Sequence, residues 1–472
     1  STEPRERDYA YAGSFYAFAI WIGLGVMALS CWLARRMNRK LALGLTSVLA
    51  LVFVPGLMAQ QGWDDHDRSH RTAAYDFARN TLESCEKDGI LIANGDNDTF
   101  PLWYCQEMEG IRTDVRIVNS ALANSFWHVQ PLFRAMYDAR PLEFTVPYEG
   151  YGQGENDYVY LGDMDLGGHI ELTDLLHVVG SKDPATKQRD RDGNLVSFFP
   201  TRKVKVTLPV QEMIAKGQIT PEQARTVPDA IRYTVKGGSS VLYRADLAFL
   251  DIFGTNKFDR PVHLLSTGAQ AGLFPVNELA SLQGNVYRLV PYRNANRAYV
   301  GANGMETDKT YDLFVNRFRW GNLQDPKTAV DPESAGYANT IRYQYVLLAR
   351  ALNFEGKHDS AVRVLDKSLE FFPDEKVPFE GMTIYQIEEY LRAGAYEKGL
   401  ALASRLEDNY MERFLYMARF PARFARSVRY EQGDCAGVLR EMNRRIKPFA
   451  AINGNVAGFV ARLGQKLESH GI

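Results

Sequence analysis

Two short stretches gather the residue types that could do chemistry. The first, Asn94-Gly95-Asp96-Asn97-Asp98-Thr99-Phe100-Pro101, follows the apolar run Ile90–Ala93. Its oxygen-bearing side chains, Asn94, Asp96, Asn97 and Asp98, are the hard donors a divalent cation such as Mg²⁺, Mn²⁺ or Ca²⁺ requires, with Asp96 and Asp98 as the metal ligands. A turn leaving a strand is also where an open α/β sheet binds ligands, beside the next helix N-terminus. The competing reading is structural: Asp and Asn cap helices and build turns, so Asp98 can simply cap a helix beginning at Thr99, with Pro101 in its first turn. The second stretch, Trp63-Asp64-Asp65-His66-Asp67-Arg68-Ser69, offers Asp64, Asp65, His66 and Arg68 to a metal or a lipid phosphate, or forms a hydrated ion-paired collar. Asp163, Asp165 and His169 have a looser metal-like spacing, but Gly162, Gly167 and Gly168 mark an ordinary turn there. No P-loop, HExxH, GxSxG or paired CxxC occurs, and no catalytic residue can be named. A divalent cation is the one cofactor these residues point to.

The elements that must carry these residues begin in a membrane. The runs 14–34 and 41–59 are free of charge, and at about 1.5 Å per residue the first spans roughly 30 Å. Between them lie Arg35, Arg36, Arg39 and Lys40 without an acid, which the positive-inside rule assigns to the cytoplasm. Both outer ends, including everything after Gln60, are then expected on the extracytoplasmic face of the inner membrane. Arg5 and Arg7 would sit at that face as candidates for a lipid phosphate, or pair with Glu6 and Asp8. A chain opening on Ser-Thr-Glu-Pro and entering a span from outside needs a preceding translocated segment, so it reads as a piece of a longer protein.

After the spans, helix and strand signals alternate: a helix capped by Ser69 and running to about Cys85, a strand at 90–93, a helix at 99–108, a strand at 115–118 and a helix at 125–137. This βαβα order predicts an α/β domain with a parallel-containing sheet over 62–325. An irregular insertion at about 141–238 holds strands at 157–161, 203–208 and 231–235 and an exposed charged loop at 182–194. A helix at 245–253, a strand at 261–266, a helix near 276–282 and a strand at 286–290 complete it. From 337 to 472 the pattern is all-α. Tyr345, Leu348, Ala349, Leu352, Gly356, Ala361, Leu365 and Pro373 fall on tetratricopeptide-like positions, and Tyr390, Gly394, Gly399 and Ala403 repeat them. Such repeats would offer a surface to a protein partner. With 472 residues, a net charge of −2 and four cysteines, the chain is an ordinary multidomain one with no nucleic-acid signature. Cys85 and Cys105 flank one strand, where they either pair in an oxidising compartment or stay buried thiols.

The segments PRERDYAYAGSFYAFAIWIGLGV (from Pro4), WDDHDRS, NGDNDTFPLWY, GIRTDVRIVN and YDLFVNRFRWGN (from Tyr311) resemble the C-terminal part of a bacterial multi-spanning membrane family. That family is known as a domain of unknown function and grouped with protein O-mannosyltransferase-like GT-C glycosyltransferases. The resemblance covers essentially the whole chain. It implies a parent protein that moves a sugar from a lipid-linked donor to an extracytoplasmic acceptor. The GT-C catalytic carboxylate lies on the first extracytoplasmic loop of the bundle, which this two-span chain does not match, so an accessory role is expected: engaging the acceptor, a partner or the rest of the membrane protein. The alternatives are a membrane-anchored scaffold using its repeats and a metal-dependent hydrolase using Asp96 and Asp98. The turn also resembles, imperfectly, the Asp-x-Asp-x-Thr loop of haloacid-dehalogenase-like phosphatases, but Thr99 comes one residue early, which argues against Asp96 as a nucleophile.

Overall fold

The computed structural model describes residues 8–66, 71–190, 192–236, 240–268, 270–301, 303–325, 327–328, 330, 332–421 and 425–472. They form two compact units, Ser1–Arg71 with Asp325–Tyr337, and Thr72–Gln324 with Ala338–Ile472.

In the first unit a 3₁₀ turn (Asp8–Tyr11) leads into α1 (Ala12–Ala34), and α2 (Arg39–Leu51) continues through a π-turn (Val52–Gly56) into α3 (Leu57–His66). Asn38 caps α2 by accepting from the Lys40 N–H at 2.9 Å. Pro55 explains the π-turn: its nitrogen cannot donate, and the helix widens so that the Leu57 N–H reaches the Val52 carbonyl. The helical stretches Tyr9–Ala34 and Arg39–Trp63, 26 and 25 residues with mean hydropathies of 2.0 and 2.2, are long and apolar enough to cross a membrane. Phe15, Phe18, Trp21, Leu45, Val48 and Phe53 are exposed along them, a surface that calls for lipid as its solvent. The chain therefore associates with a membrane through this hairpin.

The second unit opens with α4 (Ala73–Ser84), β1 (Ile90–Ala93), α5 (Asp96–Glu107), β2 (Arg116–Asn119) and the single turn α6 (Phe126–Val129). There follow β3 (Tyr158–Leu161), β4 (Ile170–Glu171), α7 (Leu172–Gly180), β5 (Lys187–Arg189), β6 (Leu195–Phe199) and β7 (Lys203–Thr207). Next come α8 (Val210–Ala215), α9 (Pro221–Ala224), β8 (Ala230–Thr234), β9 (Val241–Tyr243), α10 (Arg244–Asn256) and β10 (Val262–Leu264). The α/β part closes with α11 (Val276–Leu279), β11 (Ala280–Gln283), β12 (Val286–Leu289), α12 (Arg297–Val300) and α13 (Thr307–Asp312).

The main sheet has the order β11-β12-β10-β1-β2, with β10, β1 and β2 parallel and β11–β12 an antiparallel hairpin added at β10. Ile90 pairs with both Val262 and Arg116, which sets the register of the parallel core. Side chains alternate across it. Ile90, Ile92, Val118 and Leu264 pack toward α7 and α10, whereas Leu91, Ala93 and Ile117 pack against Leu82, Leu102 and Cys105 of α4 and α5. The insertion supplies two smaller sheets, β5-β6-β3-β9 and β4-β7-β8.

Several boundaries differ from expectation. The 125–137 helix stops at Val129 and gives way to a 3₁₀ turn containing Pro131, which cannot continue an α-helical ladder. The charged 182–194 stretch is not simply a loop: after a 3₁₀ turn at Pro184–Thr186, β5 pairs with β6, and at the tip Asp190 accepts from the Asp192 and Asn194 N–H groups. The 276–282 helix is one turn long because Ala280–Gln283 is fully buried and pairs with β12. The expected cap Ser69 lies outside the described residues, and Thr72 occupies the N-cap position of α4.

The C-terminal helices are α14 (Pro332–Phe354), α15 (His358–Phe371), α16 (Thr383–Arg392), α17 (Tyr396–Ala418), α18 (Ala425–Ile446) and α19 (Gly454–Ser469). Two hairpin turns share one geometry. Gly356 (φ +74°) and Gly394 (φ +79°) are left-handed, and the next N–H reaches back five residues, Lys357 to Leu352 and Ala395 to Tyr390. The helices join the α/β part through an aromatic cluster in which Trp320 Nε1 donates to Tyr345 Oη at 2.8 Å, with Phe314, Phe318 and Phe372 packed around it.

Candidate functional site

The Asn94–Thr99 turn leaves β1 at its carboxyl end. The chain goes from β1 to β2 on one side, while β10 flanks β1 on the other, so the connections of this sheet diverge at β1 and β10. That divergence is where open α/β sheets form a ligand crevice. The Asn94 side-chain oxygen and, in the loop after β10, the Gln270 side-chain oxygen are both buried without a donor among the described residues.

Helix α5 begins at Asp96, three residues earlier than the expected Thr99, because Gly95 takes the extended N-cap conformation and Asp98 at the third helical position accepts from its N–H at 3.4 Å. Both carboxylates also lie in the first helical turn, where the helix dipole favours negative charge. Asp96 and Asn97 are exposed. Positions two apart are roughly 200° apart around a helix, so Asp96 and Asp98 point away from one another. Among the described residues no group of three or more His, Cys, Asp or Glu is placed to hold a metal ion.

Beneath the turn is a hydrogen-bonded layer that sequence reasoning missed. Buried Thr99 accepts from Asn119 Nδ2 at 2.7 Å, Asn119 Oδ1 accepts from the Leu122 N–H at 2.8 Å, and His128 Nε2 accepts from the Asn119 N–H at 3.0 Å. Ser120 donates to the Asn94 carbonyl at 3.0 Å. Burial, with Arg116 nearby, pushes the His128 imidazole down to about 4, so it stays neutral and serves as an acceptor. The sequence signal was the Asn119-Ser120 pair ending β2, polar residues where a buried strand stops. Thr99→Val would strand the Asn119 amide, and we expect a loss of ~1–3 kcal/mol in denaturant unfolding of the full chain.

Of the second cluster, Arg68 lies outside the described residues, as do Arg5 and Arg7. Asp64, Asp65 and His66 end α3, with their side chains undescribed. Asp163, Asp165 and His169 are not brought together with another ligand; Asp165 pairs with Lys203 at 3.6 Å. Cys85 and Cys105 are free thiols buried in the core beside α4 and α5, with burial raising them to about 12 and about 11.

A cleft of about 1230 Å³ lies beside β8 and the loops around α11 and α12. Among the described residues, Arg225, Lys236, Arg293 and Arg297 line it with one carboxylate, Glu278, and the Tyr233 hydroxyl in its wall is buried without a partner. Arg232, also at the cleft, is held by Asp229 at 2.8 Å. Scattered in sequence, these cations could be grouped only by the fold.

Two helices long and apolar enough to cross a membrane are followed by a mixed α/β region with a cationic cleft and an all-helical C-terminal region. Residues 74–309, half of the chain, match the family described as TMEM260-associated domain 2, and the chain belongs to that family. No curated protein and no solved structure matches it.

Proposed function

We propose that this chain is the extracytoplasmic, acceptor-engaging region of a membrane glycosyltransferase-type protein and is not itself the catalytic centre. The cationic cleft carries the reading. Its walls provide groups that bind, arginines and a lysine around apolar residues that include Phe274 and Val276, while among the described lining residues Glu278 is a lone carboxylate without a second acid to divide acid and base roles. The turn at Asn94–Thr99 favours the same side of the argument, since Asp98 is engaged in capping and His128 in accepting a backbone N–H. The basic turn Arg35–Lys40 supports an extracytoplasmic position for the unit, in keeping with the positive-inside rule.

A specific observation favours a second, compatible role for the helices. The matching turns at Gly356 and Gly394 repeat one hairpin, as tetratricopeptide-like units do, and would present a surface to a protein partner.

The test uses the full chain in proteoliposomes with a lipid-linked sugar donor and a Ser/Thr-rich acidic peptide. We expect the peptide to bind, the binding to weaken about tenfold in Arg293→Glu/Arg297→Glu, and no sugar to be transferred. Turnover by the chain alone sinks the accessory reading, and so does peptide binding indifferent to the double variant. For sidedness, an alkaline phosphatase fused after Ile472 should be active and a green fluorescent protein dark. The opposite pattern reverses the topology.

A further inference from the structure

A smaller pocket of about 400 Å³ opens beside the edge strand β2, remote in sequence from the cationic cleft. Its innermost charge is Arg116, only 3% exposed. Nη2 of Arg116 donates to the Pro131 carbonyl at 2.6 Å, but Nη1 is buried and has no partner among the described residues. A guanidinium keeps its proton, so it cannot escape the cost of burial by neutralising. Buried charges are ordinarily paired. The charged group that acts on Arg116 is another cation, Arg260, which has its own carboxylate, Asp88, at 3.0 Å. Arg116 is thus a buried positive charge with no counterion among the described residues.

The rest of the pocket describes what would. Arg134 is the second cation, and no carboxylate lines the pocket. Two positive charges with no acid are balanced by a dianion, the charge of a phosphate monoester near neutral pH. Phe126, Trp127, Met136 and Tyr148 form the walls, and Trp127 is 52% exposed, an aromatic face held open beside the charge. The His128 and Trp127 rings meet edge-to-face with centroids 5.9 Å apart. The volume suits a ligand of one ring.

We propose that this pocket binds a phosphate monoester carried on a sugar-sized ring, with Arg116 and Arg134 supplying the positive charge that balances the phosphate and Trp127 and Tyr148 against the ring. The assignment does not rest on the glycosyltransferase reading.

The experiment is calorimetric titration of the detergent-solubilised full chain with glucose 1-phosphate, inorganic phosphate and glucose separately. Glucose 1-phosphate should bind at least tenfold more tightly than either part. Arg134→Gln and Trp127→Ala alter exposed side chains, leave the fold intact, and should each weaken it at least fivefold. Arg116→Met should abolish binding while leaving the ligand-free protein as stable as the parent or more so, because it removes an unpaired buried charge. Equal affinity for phosphate and glucose 1-phosphate, no binding by any of the three, or binding unchanged in Arg134→Gln and Trp127→Ala overturns the proposal. A loss of ligand-free stability in Arg116→Met also counts against it, since a structural arginine would behave that way.

Discussion

Replacing Asp251 with asparagine should remove a pH dependence of stability worth roughly 3 kcal/mol. Asp251 lies on α10, fully buried, and accepts from the Thr145 N–H at 2.6 Å, the Val146 N–H at 2.9 Å and the Tyr151 hydroxyl at 3.0 Å. Burial outweighs these three donors and raises its carboxyl to about 6. In an unfolded chain the value is about 3.9. The native state therefore holds the proton more tightly. The stabilising contribution is fully present below about pH 4 and is lost as pH rises through about 6. His128 works in the opposite direction. Its native value near 4 lies below the ordinary 6.5, so its contribution is present above 6.5 and lost as pH falls toward 4. The two nearly cancel in the parent, so the measurement is a difference: urea unfolding of parent and Asp251→Asn at steps from pH 4 to pH 7. The gap between them should change by roughly 3 kcal/mol across the window, and a constant gap refutes the assignment. Asp251→Ala should cost ~3–5 kcal/mol at pH 7, and more at pH 4 where the lost linkage adds to it, because it strands three buried donors that tie residues 145–151 to α10.

The second large effect is at Gly321, in the middle of the Trp320-Gly321-Asn322 segment. Its φ is +64°, and an added Cβ would lie 2.7 Å from Ala73 Cα and 3.0 Å from the Ala73 nitrogen, both backbone atoms that cannot rotate away. Its N–H donates to Asp76 Oδ2 at 2.8 Å, so the close approach is also a hydrogen-bonded one, locking the chain against the first turn of α4. Gly321→Ala combines left-handed strain with a backbone displacement and should cost on the order of 4 kcal/mol. The control is already in the molecule. Gly356 and Gly394 are left-handed too, yet a Cβ on either meets nothing within 4 Å. Alanine there should cost only ~1 kcal/mol. Denaturant unfolding of the three variants separates conformational strain from steric exclusion, and equal losses would show that the contact with Ala73 relaxes freely.

Much of this architecture was legible in the residues. Charge-free runs of membrane length declare themselves because a bilayer imposes a length and forbids charge, and the β1–α5–β2 order declares itself because buried parallel strands are short apolar runs between helical periods. The 182–194 stretch and β11 were not legible in that way. Lys187-Gln188-Arg189 is hydrophilic and becomes a strand only because Leu195–Phe199 lies alongside to accept its backbone. Ala280–Gln283 has no period of its own and is held by β12.

The same division runs through the candidate sites. The sequence by itself determined the membrane hairpin, the position of the Asn94–Thr99 turn after a strand, and the carboxylate-rich character of that turn, since all three are local properties. Tertiary structure alone decided that His128 is a neutral acceptor, that Asp251 is buried among three donors, and that Arg116 has no counterion among the described residues. Each of those outcomes depends on which distant groups arrive within hydrogen-bond reach and on how much water is displaced when they do, and neither quantity is encoded in the spacing of residues along the chain.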